Sequence, residues 1–390
     1  MKKILKYCFN TSLWTPTRQE WLQILSAITK EERERIDKYM FKRDAKQTLI
    51  GHLLIRYALK NLLSVDWNHI VLARTSNGRP YLKIKETLQN FKSSSSQPSP
   101  SSPPSTASAA AAAAATQLTG FSSDLIVDFN VSHAGDYAIV AAGIASSTAS
   151  KQNENQEVFR IGVDIMKVDA DRGRQQQQQQ SSSEQQDEAL YRKQLLSHER
   201  VLNTKFSDIE KNYIRNRYND VERLTAFYRL WCLKESYVKA IGEGMGFDLK
   251  RLEFMVTSDL YLDLNGKKHL VVNDSQLYID AKHARQAQFY VQYYTDINRS
   301  AEQASKPANL HIMTMCIIEK EATNATTTTT SSASASASAS ARNTSDNNEF
   351  IEIGMKELKD AFVVIEKIDN SNMEDFEDFW LSFKNKAEAP

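Results

Sequence analysis

LWCLKESYVKAIGEGMGF, residues 230–247, reads as an apolar helix into which Lys234, Glu235 and Lys239 are set, closed by a glycine-rich stop. Glu235 and Lys239 are four apart and therefore neighbours on one face, while Lys234 points about a quarter turn away. A plain surface ion pair at this spacing contributes only about 0.3–0.5 kcal/mol. Against that reading, Leu230, Trp231, Leu233, Tyr237, Val238 and Ile241 cover much of the circumference. The helix is therefore expected to be largely buried, and charges kept there are costly unless they are used. The glycines of GEGMGF add backbone that can approach a ligand closely. Two readings stand at this point: a salt-bridged helix, or the working edge of an active site.

Upstream, RIGVDIMKV places Asp164 between valine and isoleucine, a carboxylate that needs a partner if the strand is central. The partner could be a metal ion or simply backbone amides. Met166 shares its face by strand alternation and offers no hard oxygen. NVSHAGDY puts Ser132 and His133 at a turn between strands, where they could bond an anion or merely flank a tight Gly135-Asp136 turn. A Ser132-His133-Asp136 hydrolase triad is a poor reading, because sequence neighbours rarely converge as a triad and GxSxG is absent. RTSNGRP carries Arg74 and Arg79 on either side of an Asn77-Gly78 hairpin signal, and Arg35 lies in the basic helix ERERIDKYMFKRDAK. Guanidinium forks on a hairpin suit phosphate, although exposed arginines are usually only solvated.

The 390 residues, 41% of them hydrophobic, suffice for two domains with a sizeable core. With 49 basic and 48 acidic side chains, the net charge of +1 argues against a general nucleic-acid binder, so any anion site must be local. Cys8, Cys232 and Cys316 are odd in number and lack CxxC spacing, which fits a reducing compartment and no zinc site. The start MKKILKYCFNTSLW imitates a signal peptide, but Lys6 and Asn10 interrupt it. No stretch reaches the roughly 18 apolar residues of a membrane span. A cytosolic monomer acting without nucleic acid or membrane is expected.

Three biased tracts, SSSSQPSPSSPPSTASAAAAAAA, QQQQQQSSSEQQ and TTTTTSSASASASASA, lack the apolar side chains that offset ordering entropy. The expected organisation is an N-terminal half at 1–145 with an insert at 93–116 and a C-terminal half at 157–320 with an insert at 172–187. A linker at 321–348 and a tail at 349–390 follow. Helical spacing dominates TRQEWLQILSAI and the stretch after Thr29, where Thr29 with Glu32, like Ser207 with Glu210, has capping-box spacing. LIVDFNVSHAGDYAIVAAG and EVFRIGVDIMKV read as strands, and RLEFMV, LYLDL, KHLVV, AQFYVQYY and LHIMTMCIIE as an antiparallel run. This alternation predicts an α+β class rather than a doubly wound sheet.

Together, GVDIMK and FYRLWCLKESYVKAIGEGMGF resemble the paired signature of the 4′-phosphopantetheinyl transferases, a strand aspartate followed by a W-x-x-K-E-x-x-x-K helix. RTSNGRPYL and FNVSHAGDYAIVAA are similar to that family's G-[RK]-P and N-[IV]-S-H segments, and the N-terminal stretches resemble animal cytosolic members of the surfactin-type, two-half group. The resemblance implies a pseudo-dimer of two similar α+β halves with coenzyme A between them. It implies transfer of phosphopantetheine from coenzyme A to a serine of apo acyl or peptidyl carrier proteins, the reaction of a holo-acyl-carrier-protein synthase. Carrier domains of fatty acid synthase or an aminoadipate-reductase-like carrier would be the partners. By motif position, Asp164 matches a Mg²⁺-binding aspartate, Glu235 a glutamate that binds the metal and can act as base, and Lys239 a lysine assisting at the phosphate. Arg35, the segment Arg74, Thr75, Ser76, Asn77, Gly78 and Arg79, and the segment Asn130, Val131, Ser132 and His133 match coenzyme contacts. Lys234 belongs to the signature with an open role, a coenzyme contact among the options. Two departures stand out: Met166 occupies a position that is acidic in bacterial members, and Ala134 replaces a polar residue after the histidine. The rival readings are a non-catalytic coenzyme-binding scaffold and a nucleotide pyrophosphatase.

Overall fold

A computed structural model describes residues 2–95, 125–146, 158–168, 184–258, 269–295, 310–320, 349–362, 365–368 and 372–388. Most of the three low-complexity tracts, and the expected LYLDL strand at 260–264, lie outside the described residues.

The first half runs β1 (Lys3–Asn10), α1 (Arg18–Leu25), α2 (Lys30–Asp37), α3 (Lys42–Leu63), β2 (Leu72–Arg74), β3 (Pro80–Leu82), α4 (Ile84–Ser95), β4 (Leu125–Ala134) and β5 (Tyr137–Ser146). The second runs β6 (Val158–Val168), α5 (Glu184–Ser197), α6 (Glu199–Lys205), α7 (Asp208–Arg215), α8 (Asp220–Ile241), β7 (Leu252–Val256), β8 (His269–Val272), β9 (Ser275–Ile279), β10 (Lys282–His283), β11 (Ala287–Tyr294) and β12 (Leu310–Lys320). After it come β13 (Ile351–Glu352), α9 (Met355–Ala361) and α10 (Met373–Asn385).

Capping boxes start the helices where the sequence places them, at Thr29 with Glu32 and Ser207 with Glu210, and a third at Thr17 with Glu20 opens α1. Asn77-Gly78 turns the β2–β3 hairpin, with Gly78 at φ +80°. The leader-like N-terminus is instead β1, paired antiparallel along its whole length with β5. Its odd residues join the α3-side core and its even ones face the other half, so Lys6 and Asn10 are strand positions, not breaks.

The two halves repeat one plan. The strand orders β1-β5-β4 and β6-β12-β11 match, and each sheet packs a 22-residue helix, α3 or α8, on its outer face. The fold is thus α+β and a pseudo-dimer. Three cores result: one under α3, one under α8, and one between the sheets containing Ile139, Ala141, Phe159, Ile161, Val163, Ile165, Met313 and Met315.

β4 and β6 are the edges of their sheets and meet at this seam. Alternate side chains of β4 serve the exposed strand of β6: Asp128 Oδ2 accepts from the Ile161 amide at 2.7 Å, and Asn130 Oδ1 from the Val163 amide at 3.0 Å. Ser132 continues the row and donates to Asp164 Oδ1 at 3.1 Å. On the opposite face of β6, Gly162 lets α8 lie directly on the strand; a Cβ there would sit 1.9 Å from Ser236 O and 2.5 Å from Ala240 N.

The tail closes the seam from the side. β13 pairs parallel with β1, and Phe350 enters the inter-sheet core while its amide donates to Gln292 Oε1 at 2.6 Å. α10 then covers the first half, with Phe383 stacked 3.8 Å from Trp21 and Phe376 under Arg33.

Lys234 is wholly buried against Glu210, which is itself wholly buried, at 2.8 Å; it also donates to Leu249 O and Leu252 O. It therefore joins α8 to α7 and to the start of β7, and is not a coenzyme contact. Removing one partner of such a pair strands the other, so Lys234→Ala is expected to cost about 3–5 kcal/mol in denaturant unfolding. Gly162→Ala should cost at least about 3 kcal/mol, because both obstacles are backbone. Asn130→Ala should cost about 1–3 kcal/mol for the orphaned amide. Lys6, buried in the seam, is lowered to about 8 because burial outweighs the nearby Glu349. The folded state penalises its charged form, so stability should climb as pH rises from about 8 towards the ordinary 10.5. Melting curves across that window, flattened in Lys6→Met, check the sign.

Candidate functional site

Between residues 231 and 240 of α8, every side chain is buried except Trp231, Glu235 and Lys239. Their i, i+4, i+8 spacing makes one stripe along the helix. Trp231 stacks on Phe227 and lies tilted against Phe206, and the stripe then runs past Glu235 to Lys239 at Asp164 of β6.

Lys239 Nζ donates to Asp164 Oδ1 at 2.6 Å and to Ser132 Oγ at 2.8 Å. The ion pair of Lys239 is thus with Asp164, not with the Glu235 suggested by helical spacing. Asp164 Oδ2 is buried and accepts no N–H or O–H among the described residues, while the Cys232 thiol lies beside the carboxylate, which helps push the thiol pKa up. Burial raises the Glu235 pKa, the Asp164 charge raises it further, and Lys239 opposes them. Burial also lowers the His133 pKa, with Lys239 adding to the effect, although the residue as a whole is exposed.

A carboxylate oxygen that accepts no N–H or O–H, beside a second carboxylate, fits a hard divalent cation. Among the described residues no group of three His, Cys, Asp or Glu side chains could enclose one. Met166 packs against the second-half core and Ala134 against the seam, so neither adds an oxygen.

The first half contributes a different set. The Arg74 pKa is lowered first by burial and then by the Arg35 charge, with Glu32 opposing. Among the described residues neither is within salt-bridge distance of a carboxylate; Arg74 donates to Gly78 O at 2.7 Å. Thr75 closes the turn through the Gly78 and Arg79 amides, and Ser76 is exposed.

Other residues of the expected contact set are engaged elsewhere. Arg79 reaches across the seam to Lys239 O, Ala240 O at 2.6 Å, Asp128 Oδ2 at 2.6 Å and Ile161 O at 3.0 Å, where it also meets the negative end of the α8 dipole. Asn77 donates to Gly242 O at 3.3 Å. Asn130 serves the Val163 amide, and Val131 points the other way, packed against the α3-side core. The structure therefore gathers Ser132, Asp164, Glu235 and Lys239, puts His133 on the Val131 face of β4, leaves Arg35 and Arg74 as separate first-half cations, and places Arg79, Asn77 and Asn130 in the joint between halves.

Asp128 and Gly162 were not singled out in the sequence, and Glu210 was read there only as a capping-box residue, without its Lys234 partner. The polar alternation D-x-N-x-S in DFNVS, set in an apolar strand, was the available signal for the first; the other two depend on contacts distant in sequence.

Comparison with known proteins agrees with this geometry. Residues 12–98 match a family profile described as "4′-phosphopantetheinyl transferase, N-terminal", and residues 160–290 one described as "4′-phosphopantetheinyl transferase superfamily". An L-aminoadipate-semialdehyde dehydrogenase-phosphopantetheinyl transferase of Xenopus laevis is 34% identical over 253 residues, 65% of this chain and 62% of that one. The protein of the same name from Homo sapiens is 30% identical over 285 residues, 73% of this chain and 69% of its own. A phosphopantetheinyl transferase of Thraustochytrium sp. is 27% identical over 262 residues, 65% and 67% of the two chains. The chain thus spans about two thirds of the length of these relatives. With both halves matched in order and the Homo sapiens relative 30% identical over 69% of its own length, the chain belongs to the 4′-phosphopantetheinyl transferase superfamily.

Proposed function

We propose that this chain transfers the 4′-phosphopantetheine arm of coenzyme A to a serine hydroxyl of apo carrier proteins, releasing 3′,5′-ADP, with Mg²⁺ held by Asp164 and Glu235. The observation that supports it most directly is an Asp164 Oδ2 that accepts no N–H or O–H, beside a half-buried glutamate and a lysine on one cleft wall.

Coenzyme A carries a pyrophosphate and a 3′-phosphate, and the exposed Arg35 and Arg74 of the first half supply two forks for such anions. A bound Mg²⁺ would supply charge neutralisation and Lewis acidity at the pyrophosphate. Glu235, made more basic by burial and by Asp164, takes the proton of the carrier serine as its oxygen bonds to phosphorus. The bond from that phosphorus to the bridging oxygen of the leaving 3′,5′-ADP breaks, and the Lys239 ammonium stabilises the charge left there. Asp164 keeps Lys239 in place.

The names of the animal relatives pair the transferase with aminoadipate-semialdehyde dehydrogenase, so a carrier of that kind is proposed as a substrate, with carrier domains of fatty acid synthase as others. Action in the cytosol as a monomer is part of the proposal; no helix among the described residues is long and apolar enough to cross a membrane.

Incubation with coenzyme A, Mg²⁺ and an apo carrier, followed by mass spectrometry, should show one phosphopantetheine gained by the carrier. Unchanged carrier despite coenzyme binding would favour a scaffold, and 3′,5′-ADP release without a carrier a pyrophosphatase. Glu235→Gln should fold normally and lose at least about 100-fold in transfer rate. Arg35→Ala with Arg74→Ala should raise KM for coenzyme A about tenfold while changing kcat little, as for loss of uniform binding.

A further inference from the structure

We propose that Ser132 is a positioning residue: from the first half it fixes Lys239 and Asp164 of the second, holding the lysine on Oδ1 so that it does not occupy Oδ2, the oxygen left for the divalent cation. This goes beyond a coenzyme contact for Ser132 and rests on the transfer reaction proposed above.

Ser132 Oγ accepts from Lys239 Nζ at 2.8 Å and donates to Asp164 Oδ1 at 3.1 Å, while Lys239 and Asp164 contact each other at 2.6 Å. The three groups close a ring on one side of the carboxylate. A hydroxyl has one proton and two lone pairs, and both bonds here use the seam, not the open cleft. Ser132 and Asp164 are both buried, whereas the Lys239 side chain is 31% exposed and has room to move. Without the hydroxyl, nothing among the described residues holds Nζ to the Oδ1 side, and an ammonium free to straddle both oxygens competes directly with a cation.

The row on β4 gives this placement its rigidity. Asp128 and Asn130 engage the Ile161 and Val163 amides, and Ser132 is the third member at the same alternation. The residue that reads the carboxylate is therefore set by the same contacts that align the halves.

The test compares wild type with Ser132→Ala, Ser132→Thr and Ser132→Val. Threonine and valine are both strand-compatible and differ in the hydroxyl, so they separate its role from folding. Mn²⁺ affinity in the coenzyme-free protein, read by titration calorimetry, should fall about tenfold or more in Ala and Val and recover in Thr, the size usual for residues that orient a metal ligand. kcat should fall in parallel, with KM for coenzyme A within about twofold. A raised KM with unchanged kcat would overturn the proposal in favour of a coenzyme contact, and so would unchanged Mn²⁺ affinity in Ala and Val. If the wild type transfers nothing, the reaction itself is wrong, and the Mn²⁺ titration still decides whether Ser132 governs the carboxylate.

Discussion

Two sheet edges that belong to different halves have to be joined, and the side chains of β4 join them. An edge strand carries unpaired amides that cost free energy if buried without partners. Asp128 and Asn130 satisfy two such amides of β6, and Arg79 brackets the same seam by taking Ile161 O and the last carbonyls of α8. The cations Arg35 and Arg74 come from one half and the carboxylates and Lys239 from the other. Their separation is consequently fixed by hydrogen bonds whose lengths tolerate little slack.

α8 shows why helical spacing alone misassigns partners. Lys234 and Lys239 lie five residues apart in one signature, yet burial sends the first into a fully satisfied pair with Glu210 and leaves the second at the cleft. Glu210 in turn serves as the capping-box residue of α7 and accepts the Phe254 amide. The expense of a buried charge is offset there by saturating every donor and acceptor. At Asp164 it is not, since one oxygen accepts no N–H or O–H, and that contrast separates the surroundings of the two lysines.

The helices, the Asn77-Gly78 hairpin, the capping boxes and the signature around Asp164, Glu235 and Lys239 were legible because each is a local pattern with a local cause. The ring of Ser132, Asp164 and Lys239 was not, since its members are drawn from β4, β6 and α8. Nor was the engagement of Arg79 and Asn130 in the joint, because an arginine on a hairpin and an asparagine on a strand look the same whether they face a ligand or another half. β1 was obscured for a different reason: Lys6 and Asn10 look like breaks in an apolar run until the strand acquires a second buried face that accepts polar groups.

The docking of the tail has a consequence for how the chain comes to be folded. Trp21, Arg33 and the edge of β1 receive their covering from residues beyond position 348, more than three hundred positions later. A growing chain therefore completes β1, α1 and α2 long before the strand and helix that cover them exist. Until β13 emerges, the edge of β1 that it will pair with remains a template on which another strand can add.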